Sequence, residues 1–177
     1  DDFNVEARRA VVWTREILSP AARAYLQSLS DTPKVKRNVT LAHGSPRHSI
    51  WEYIADSAVA CENFNYFETD VCLVGHTHVP IIYQWQRGTS SPNGTCRPLT
   101  PVYDRGVDLR GDHRLIINPG SVGQPRNSDP RACYGLLDTE RMVWRHRRLP
   151  YPVEVTQSRM RAANLPERLI ARLSFGW

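Results

Sequence analysis

The chain has 177 residues, a formal net charge of +5, 41% hydrophobic residues and 23% charged residues. This length suits one domain with a sizeable core, and the composition is that of an ordinary globular protein rather than a disordered or fibrous one. No apolar run approaches the roughly 18 residues of a membrane helix, and the four cysteines form no C-x-x-C pair, so a membrane protein and a disulfide framework are disfavoured and a cytoplasmic location is expected.

Two helices are predicted at the start of the chain. Asn4 is a suitable N-cap for a helix over residues 6–18, in which apolar residues recur at helical spacing. Ser19 followed by proline predicts a second helix that ends near residue 29, because proline is favoured at the first helical position. The polar segment 31–38 contains a proline and is interpreted as a loop.

The next segment combines a short strand with two predicted helices. Residues 39–42 form a strand that ends directly at His43-Gly44. Ser49 and Glu52 have the spacing of a capping box, in which each side chain bonds the backbone of the other, so a helix is predicted to begin there. A further helix is predicted over residues 57–67.

The rest of the chain is predicted to be mostly strands. Residues 70–74 form a continuous apolar run, which is typical of a strand buried on both faces. Further predictions are strands at residues 80–86 and 114–117, a flexible hairpin or excursion over 87–101, a hairpin at 133–137 and 142–146, and a helical tail from 154 that is broken at Pro166. This order predicts an α/β or α+β fold with a layered sheet, in a single domain over residues 1–177.

Three histidines follow predicted strands. Gly75-His76-Thr77-His78 comes directly after the buried strand, and His43 has the same setting at the end of the earlier strand. In an extended segment residues two apart project to the same side, so His76 and His78 are expected to face one site. If the two strands are parallel neighbours, their ends converge and bring His43 there too. Any one of these histidines is explained by a strand cap, but together they predict a site for a divalent transition metal.

The other histidines lack this context and are interpreted as structural, namely His48, His113 and His146. A further candidate element begins at Asn118-Pro119-Gly120-Ser121 and ends at Arg126, combining amide, hydroxyl and guanidinium donors with small residues. Exposed backbone N–H groups together with Arg126 suit a phosphate group. An ordinary Gly/Pro turn explains the same residues equally well, so this segment alone leaves both interpretations open.

Taken together and in this order, these elements resemble the calcineurin-like metallophosphoesterases, and most of all their small bacterial and archaeal phosphodiesterases. The family's isolated histidine is matched by Ala42-His43-Gly44, its G-H-x-H motif by residues 75–78, and its N-P-G-S-x-x-x-P-R stretch by residues 118–126. The opening helix is also similar to the one that follows the family's G-N-H-D motif. The resemblance therefore spans nearly the whole chain.

The resemblance implies part of a four-layer α/β/β/α sandwich with metal ions at the strand ends. It implies that His43 and His76 bind the second of two divalent ions (Mn, Zn, Fe or Mg) and that His78 binds the first. The implied activity is hydrolysis of a phosphate ester, from a small molecule or a nucleotide, by a hydroxide that two metals activate. Substrate binding is implied for the third element, through Asn118, Ser121 and Arg126.

The sequence departs from the family pattern in its metal ligands. It contains no D-x-H and no G-N-H-D motif, and Gly111-Asp112-His113 contains G-D only in the wrong order, after G-H-x-H. The bridging aspartate, the asparagine ligand and the histidine general acid are therefore expected upstream of Asp1, which makes the chain the carboxy-terminal portion of a catalytic domain. Since three neutral imidazoles do not offset the charge of two divalent ions, the chain alone is expected to bind metal weakly and to hydrolyse little or nothing.

Two alternative functions stay open at this point. The first is a noncatalytic scaffold of the same fold that keeps the histidines and binds a partner. The second is a nucleic-acid-binding module, because Lys34 and Lys36 are the only lysines and arginine carries nearly all of the positive charge. The arginines are scattered among acidic residues outside the cluster at 145–148, so nucleic acid is not favoured. A nucleotidase or protein phosphatase is also compatible with the family, since metal ligands do not select the leaving group.

Overall fold

The structure is a computed structural model that describes residues 4–86 and 94–177. Its helices are α1 (Val5–Ile17), α2 (Pro20–Gln27), α3 (Ser57–Asn63), α4 (Val153–Ala162) and α5 (Glu167–Ala171). Its strands are β1 (Lys34–Lys36), β2 (Val39–Leu41), β3 (Val71–Leu73), β4 (Ile81–Gln86), β5 (Thr95–Leu99), β6 (Gly106–Asp108), β7 (Arg114–Asn118), β8 (Ala132–Asp138) and β9 (Val143–Leu149). Short 3₁₀ turns follow α3 at Phe64–Tyr66 and α5 at Arg172–Ser174.

The strands form two sheets. The larger has the order β1-β2-β3-β7-β4-β5, in which β2, β3 and β7 run parallel and the outer pairs are antiparallel. The smaller has the order β6-β9-β8 and is antiparallel throughout. β3 lies between two parallel neighbours with Val71 and Cys72 fully buried, as its continuous apolar run predicts.

Two clusters of buried side chains place the larger sheet between a helix and the smaller sheet. On one face, Tyr83 and Ile116 pack with Phe64 at the end of α3. On the other face, Leu115 packs in a cluster with Trp144 of β9. The predicted mixed α/β class is confirmed, and the layers run from helix to six-stranded sheet to three-stranded sheet.

The two amino-terminal helices are confirmed together with their caps. Asn4 Oδ1 accepts a hydrogen bond from Ala7 N–H at 2.8 Å, and Ser19 Oγ accepts one from Ala22 N–H at 3.1 Å. Neither helix has a buried residue, so little core packing supports them.

Among the described residues, no helix is both long enough and apolar enough to cross a membrane.

The interpretation of residues 31–38 as a loop is wrong, because β1 lies within them. β1 pairs with β2 through a two-residue connection, Arg37-Asn38, in which both residues have positive φ (48° and 61°). This is the conformation that a tight hairpin needs at both positions. β1 has three residues, all exposed, so it is too short for hydrophobic periodicity to signal it.

The helix predicted to begin at the capping box is also wrong. Residues 49–51 form a turn, and the next helix starts only at Ser57, capped by Asp56. The Glu52 carboxylate instead accepts hydrogen bonds from the side chains of Ser45, Arg47 and Asn63. Tertiary partners therefore replace the local bond that the capping box requires.

The remaining predicted helices and strands are confirmed with small changes at the element ends. β4, β7 and the β8–β9 hairpin lie where strands were predicted, and the tail is helical on both sides of Pro166. The predicted excursion over residues 87–101 contains β5, which pairs with β4, while residues 87–93 lie outside the described residues. β6 was not predicted, because its three residues carry no pattern of their own.

Candidate functional site

Two neighbouring parallel strands bring His43 and His76 together. β2 and β3 pair in register, with Leu41 opposite Leu73, so both chains leave the sheet at the same edge. The Gly75 N–H donates to the His43 carbonyl at 2.8 Å and joins the two strand ends. His43 Nε2 lies 3.1 Å from His76 Nδ1. The convergence predicted from the two strand ends is confirmed for this pair.

The turn after β3 is not the extended segment assumed from sequence. His76 and His78 have φ values of +62° and +60°, a left-handed conformation that is uncommon outside glycine. A strained backbone of this kind persists only where the surrounding contacts hold it in place, and it is found most often at functional sites. Thr77 N–H donates to the Gly75 carbonyl at 2.7 Å and folds the turn back on itself. The assumed alternation of side chains is wrong, although both histidines line the same cleft.

Asn118, at the end of β7, fastens this turn. Its amide nitrogen donates to the Gly75 carbonyl at 2.6 Å and to Thr77 Oγ1 at 2.9 Å, while its Oδ1 accepts from Gly120 N–H at 2.9 Å. The residue is 2% exposed, so these bonds replace water for the whole amide. Asn118 therefore positions the histidine turn from the interior of the protein.

A backbone carbonyl sets the tautomer of His78. Its Nδ1 lies 2.7 Å from the Gln124 carbonyl oxygen, which can only accept, so Nδ1 carries the proton and Nε2 is the acceptor nitrogen. Burial lowers the pKa of His78 and so favours the neutral ring. Metal-binding histidines commonly donate their second ring N–H to a carbonyl in this way.

His76 is held between two other rings. The Tyr53 ring lies 3.9 Å from it, centroid to centroid, and the His43 ring meets it edge-on at 4.9 Å. Burial lowers the pKa of His76, and proximity to His43 lowers it further. Its Nε2 is buried and makes no hydrogen bond of ordinary geometry. The lowered pKa favours the neutral ring, which is the form that binds metal ions.

The β2–α3 loop (residues 42–56) is held by a carboxylate. Glu52 accepts hydrogen bonds from Ser45 Oγ at 2.6 Å and from Asn63 Nδ2 at 2.8 Å, and it forms an ion pair with Arg47. Burial raises the pKa of Glu52, but the bonds from Arg47 and the two neutral donors outweigh that effect and lower the pKa to about 2. The network is therefore ionised and intact throughout the neutral range.

The three histidines open into a cleft of about 580 Å³. Two guanidinium groups line it, Arg126 and Arg172, and no carboxylate does so in the part of the chain that the structure describes. Burial lowers the pKa of Arg172, and the nearby charge of Arg126 lowers it further. Two cations in the wall of one cleft attract anions.

The predicted substrate-binding residues are distributed unequally around this cleft. Arg126 lines it, with its Nε buried and without a hydrogen-bond partner. Ser121 Oγ accepts from Gln124 N–H at 2.9 Å and shapes the turn that carries Arg126. Asn118 lies under the histidine turn. Substrate contact by Asn118 and Ser121 stays a prediction, and the structure assigns both a positioning role.

Sequence reasoning missed the aromatic and the charged residues Trp51, Tyr53 and Arg172 in the cleft lining. Trp51 and Tyr53 follow Ser49, where a helix was predicted to begin, but that helix does not form and both residues belong to the β2–α3 loop. Arg172 lies far along the chain, in the 3₁₀ turn after α5. No motif marks it, and only the packing of the tail brings it to the histidines.

The donor set fits a divalent metal in part. Two nitrogens that bind one metal at about 2.0–2.1 Å and at ordinary coordination angles are roughly 3.0–3.4 Å apart, and the His43–His76 spacing of 3.1 Å lies in this range. Within residues 4–86 and 94–177, however, no three His, Cys, Asp or Glu side chains are grouped so that they could hold one ion. The described residues therefore offer a pair of imidazoles without the carboxylates that complete a site.

The structural interpretation of His146 is confirmed. Its Nδ1 accepts from Trp144 Nε1–H at 2.8 Å, and its Nε2 donates to the Asn118 carbonyl at 3.0 Å. The residue is 1% exposed, and burial lowers the pKa of its ring. His146 therefore links the smaller sheet to the strand that carries Asn118.

Comparison with known proteins agrees with this arrangement. A model of the calcineurin-like phosphoesterase superfamily domain matches residues 19–142. An uncharacterised protein of Methanocaldococcus jannaschii is 30% identical over 181 residues, which is 99% of this chain and 68% of that protein.

Two solved structures share the fold. A metallophosphoesterase from Sphaerobacter thermophilus is 41% identical and superposes with a TM-score of 0.86 over 100% of this chain and 70% of its own. A hypothetical protein from Pyrococcus horikoshii OT3 superposes with a TM-score of 0.72 at 18% identity, over 100% of this chain and 63% of its own. The second likeness concerns the fold alone.

Proposed function

Because this chain belongs to the calcineurin-like phosphoesterase superfamily, whose members hydrolyse phosphate esters and generally use divalent metals, we propose that His43, His76 and His78 are its metal ligands. When bound, the divalent ions polarise a phosphoryl oxygen and supply a nucleophile from water at neutral pH. The residues of this chain hold the ions and orient the ester in the positively charged cleft.

The observation that carries the proposal is the pair of imidazole nitrogens at the ends of β2 and β3. His43 Nε2 and His76 Nδ1 are 3.1 Å apart. Without a metal, one of the two nitrogens donates to the other. With a metal, both are acceptors, so the ion replaces a proton between them.

His78 belongs to a second ion in this proposal. Its Nδ1 is occupied by the Gln124 carbonyl, which leaves Nε2 as the nitrogen that binds. Two ions require more negative charge than imidazoles provide. The identity of the ions, among Mn, Zn, Fe and Mg, follows from ligands beyond the histidines.

We further propose that residues 1–177 act as the carboxy-terminal portion of a catalytic domain. The carboxylate ligands, the asparagine ligand and the general acid then come from polypeptide outside this sequence. The incomplete donor set of the described residues supports this division. On its own, the chain is expected to bind one ion weakly and to hydrolyse little or nothing.

Titration of the 177-residue chain with Co²⁺, followed by visible absorption, tests the ligand assignment. We expect one weak site, and we expect His43→Ala and His76→Ala each to weaken it about tenfold or more. His48→Ala is the matched control, because this exposed histidine lies in the same loop and outside the cleft. Equal affinity in all four proteins would overturn the assignment.

Assays with an aryl phosphodiester and an aryl phosphomonoester test the reaction. We expect the chain to become active when the polypeptide that supplies the missing ligands is joined to it, and His76→Ala to abolish that gain. Metal binding that never leads to hydrolysis, in the joined protein as well, would favour the noncatalytic scaffold.

A further inference from the structure

We propose that Cys61 and Cys96 are a modification site, at which hydrogen peroxide forms a reversible disulfide. The two thiols are hydrogen-bonded to each other, and neither is part of a disulfide in this structure. The inference is independent of the metal ligands proposed above, because neither cysteine lines the histidine cleft. It depends on the way α3 packs against β5.

The packing of α3 on the larger sheet brings the two thiols together. Cys96 of β5 pairs in register with Trp85 of β4, and both side chains pack against the buried cluster that contains Ala60 of α3. Cys96 therefore lies on the face of the sheet that α3 covers. Cys61 directly follows Ala60 and meets Cys96 there. The two cysteines are 35 residues apart along the chain (96 − 61), so no C-x-x-C motif marks them.

The surroundings of the pair allow a bond to form. Cys61 and Cys96 are both half-buried, so a small oxidant reaches them, whereas Cys72 and Cys133 are buried. A disulfide requires its two sulfur atoms to approach to about 2.0 Å. β5 lies at the edge of its sheet, and α3 has only seven residues. Either element can therefore shift slightly without rearranging the centre of the sheet.

The two sulfurs have different roles in this reaction. Burial raises the pKa of Cys96, and the hydrogen bond with Cys61 and the charge of Cys61 raise it further. Cys96 therefore keeps its proton, and Cys61 is the sulfur that attacks hydrogen peroxide. The O–O bond breaks, Cys61 becomes a sulfenic acid, and one water leaves. The Cys96 sulfur then attacks the sulfenic sulfur, and the second oxygen leaves as water with the Cys96 proton. Two thiols are oxidised by two electrons, and one peroxide is reduced to two waters.

The disulfide would fix α3 beside the residue that holds the β2–α3 loop. Asn63 lies two residues after Cys61 and donates to Glu52 at 2.8 Å, while its Oδ1 accepts from Arg47 N–H at 3.1 Å. A crosslink between α3 and β5 restricts the opening of α3, and it restricts the loop that Asn63 anchors as well. Oxidation is therefore expected to slow local unfolding in this part of the molecule.

Peptide mapping by mass spectrometry without reduction, after the folded 177-residue chain is treated with hydrogen peroxide, tests the inference. We expect two of the four thiols to be lost and one crosslink to join Cys61 to Cys96. Dithiothreitol should restore both thiols. A crosslink that involves Cys72 or Cys133, no loss of thiols, or a crosslink that forms only in urea would overturn the inference.

Variants separate the roles of the two sulfurs. Cys96→Ser should leave a sulfenic acid on Cys61 that dimedone traps, whereas Cys61→Ser should leave none on Cys96. Cys133→Ala is the matched control, because this thiol is buried in the smaller sheet, and the crosslink should form in it as in the wild type. Circular dichroism confirms that each variant is folded. Dimedone labelling of Cys96 in Cys61→Ser would overturn the assigned order of attack.

Amide hydrogen exchange measures the consequence for the fold. In the oxidised wild type we expect exchange in α3 and in the β2–α3 loop to slow severalfold. In peroxide-treated Cys61→Ser it should not change. Unchanged exchange in a wild-type chain that is shown to be crosslinked would overturn the effect on α3.

Discussion

The two loops that place the histidines are built on different principles. The β2–α3 loop is long and is held by a charged network around Glu52, whose donors come from the loop itself and from α3. The turn after β3 is short, uses two left-handed histidines, and is held by the neutral amide of Asn118. The first loop therefore depends on ionisation, and the second depends on a buried hydrogen-bond donor. The β2–α3 loop should therefore be destabilised by loss of charge, and the turn after β3 by loss of the Asn118 amide.

The largest effect is expected at Asn118. Asn118→Ala removes three hydrogen bonds in a site that water does not reach, and leaves the Gly75 carbonyl without this donor. We expect the free energy of unfolding to fall by about 3 kcal/mol. We also expect weaker Co²⁺ binding, since the turn that presents His76 loses its support. Urea denaturation and the absorption titration measure the two effects.

Two further variants sharpen this result. Asn118→Asp keeps the acceptor oxygen and loses the amide donors, so it should cost about as much as alanine if donation to the turn is the important interaction. Asn65→Ala removes an exposed asparagine in the 3₁₀ turn after α3 and should change stability by less than about 0.5 kcal/mol. A cost at Asn118 no larger than at Asn65 would contradict the role given to this amide.

The next effect in size is expected at Glu52. Its side chain is only 14% exposed, and Glu52→Gln removes the charge that Arg47, Ser45 and Asn63 share. We expect a loss of about 2 kcal/mol at pH 7, an estimate that allows for the solvent reaching Arg47. Glu62→Gln is the matched control, because Glu62 pairs with the same arginine and is 62% exposed. It should change stability by less than about 0.5 kcal/mol.

The same carboxylate gives the β2–α3 loop a pH dependence. The folded-state pKa of Glu52 is about 2, below its ordinary value of 4.5. Its contribution is therefore complete above pH 4.5 and is lost as the pH falls from 4.5 towards 2. As the pH falls from 4.5 towards 2, the free energy of unfolding should decrease more steeply in the wild type than in Glu52→Gln. Parallel slopes would mean that Glu52 does not hold the loop by its charge.

The sequence predicted what depends on local patterns and on strand order. The caps at Asn4 and Ser19 are local, and their helices formed as expected. The convergence of His43 and His76 followed from two apolar strands that each end in histidine. A parallel sheet aligns such ends whatever the loops do.

What the sequence could not predict depends on contacts that leave no local or periodic pattern in the sequence. The capping box at Ser49 and Glu52 failed because Arg47 and Asn63 offered the carboxylate better-placed donors. The same failure hid Trp51 as a residue of the cleft wall. Arg172 reaches the cleft through the packing of the tail, which leaves no periodic signal in the sequence.

The smallest effects on stability are expected at the two glycines beside the histidines. Gly44 in the β2–α3 loop has little space for a side chain, whereas Gly75 in the turn after β3 has enough. At Gly44, an added Cβ would lie 2.9 Å from the Glu52 carbonyl oxygen and 3.0 Å from the His48 carbonyl oxygen. Both neighbours are backbone atoms that cannot move without opening the loop. We expect Gly44→Ala to cost about 1–2 kcal/mol.

At Gly75, an added Cβ would lie 3.5 Å from the His43 carbonyl oxygen, an ordinary contact. Its backbone is not in the left-handed region, so the conformation at this position does not require glycine. Gly75→Ala should be neutral or slightly stabilising, by up to about 0.5 kcal/mol, because alanine restricts the unfolded chain. Thermal unfolding of the two variants side by side measures the difference. If Gly75→Ala lost more stability than Gly44→Ala, the turn after β3 would have less space for an added side chain than the β2–α3 loop, contrary to this expectation.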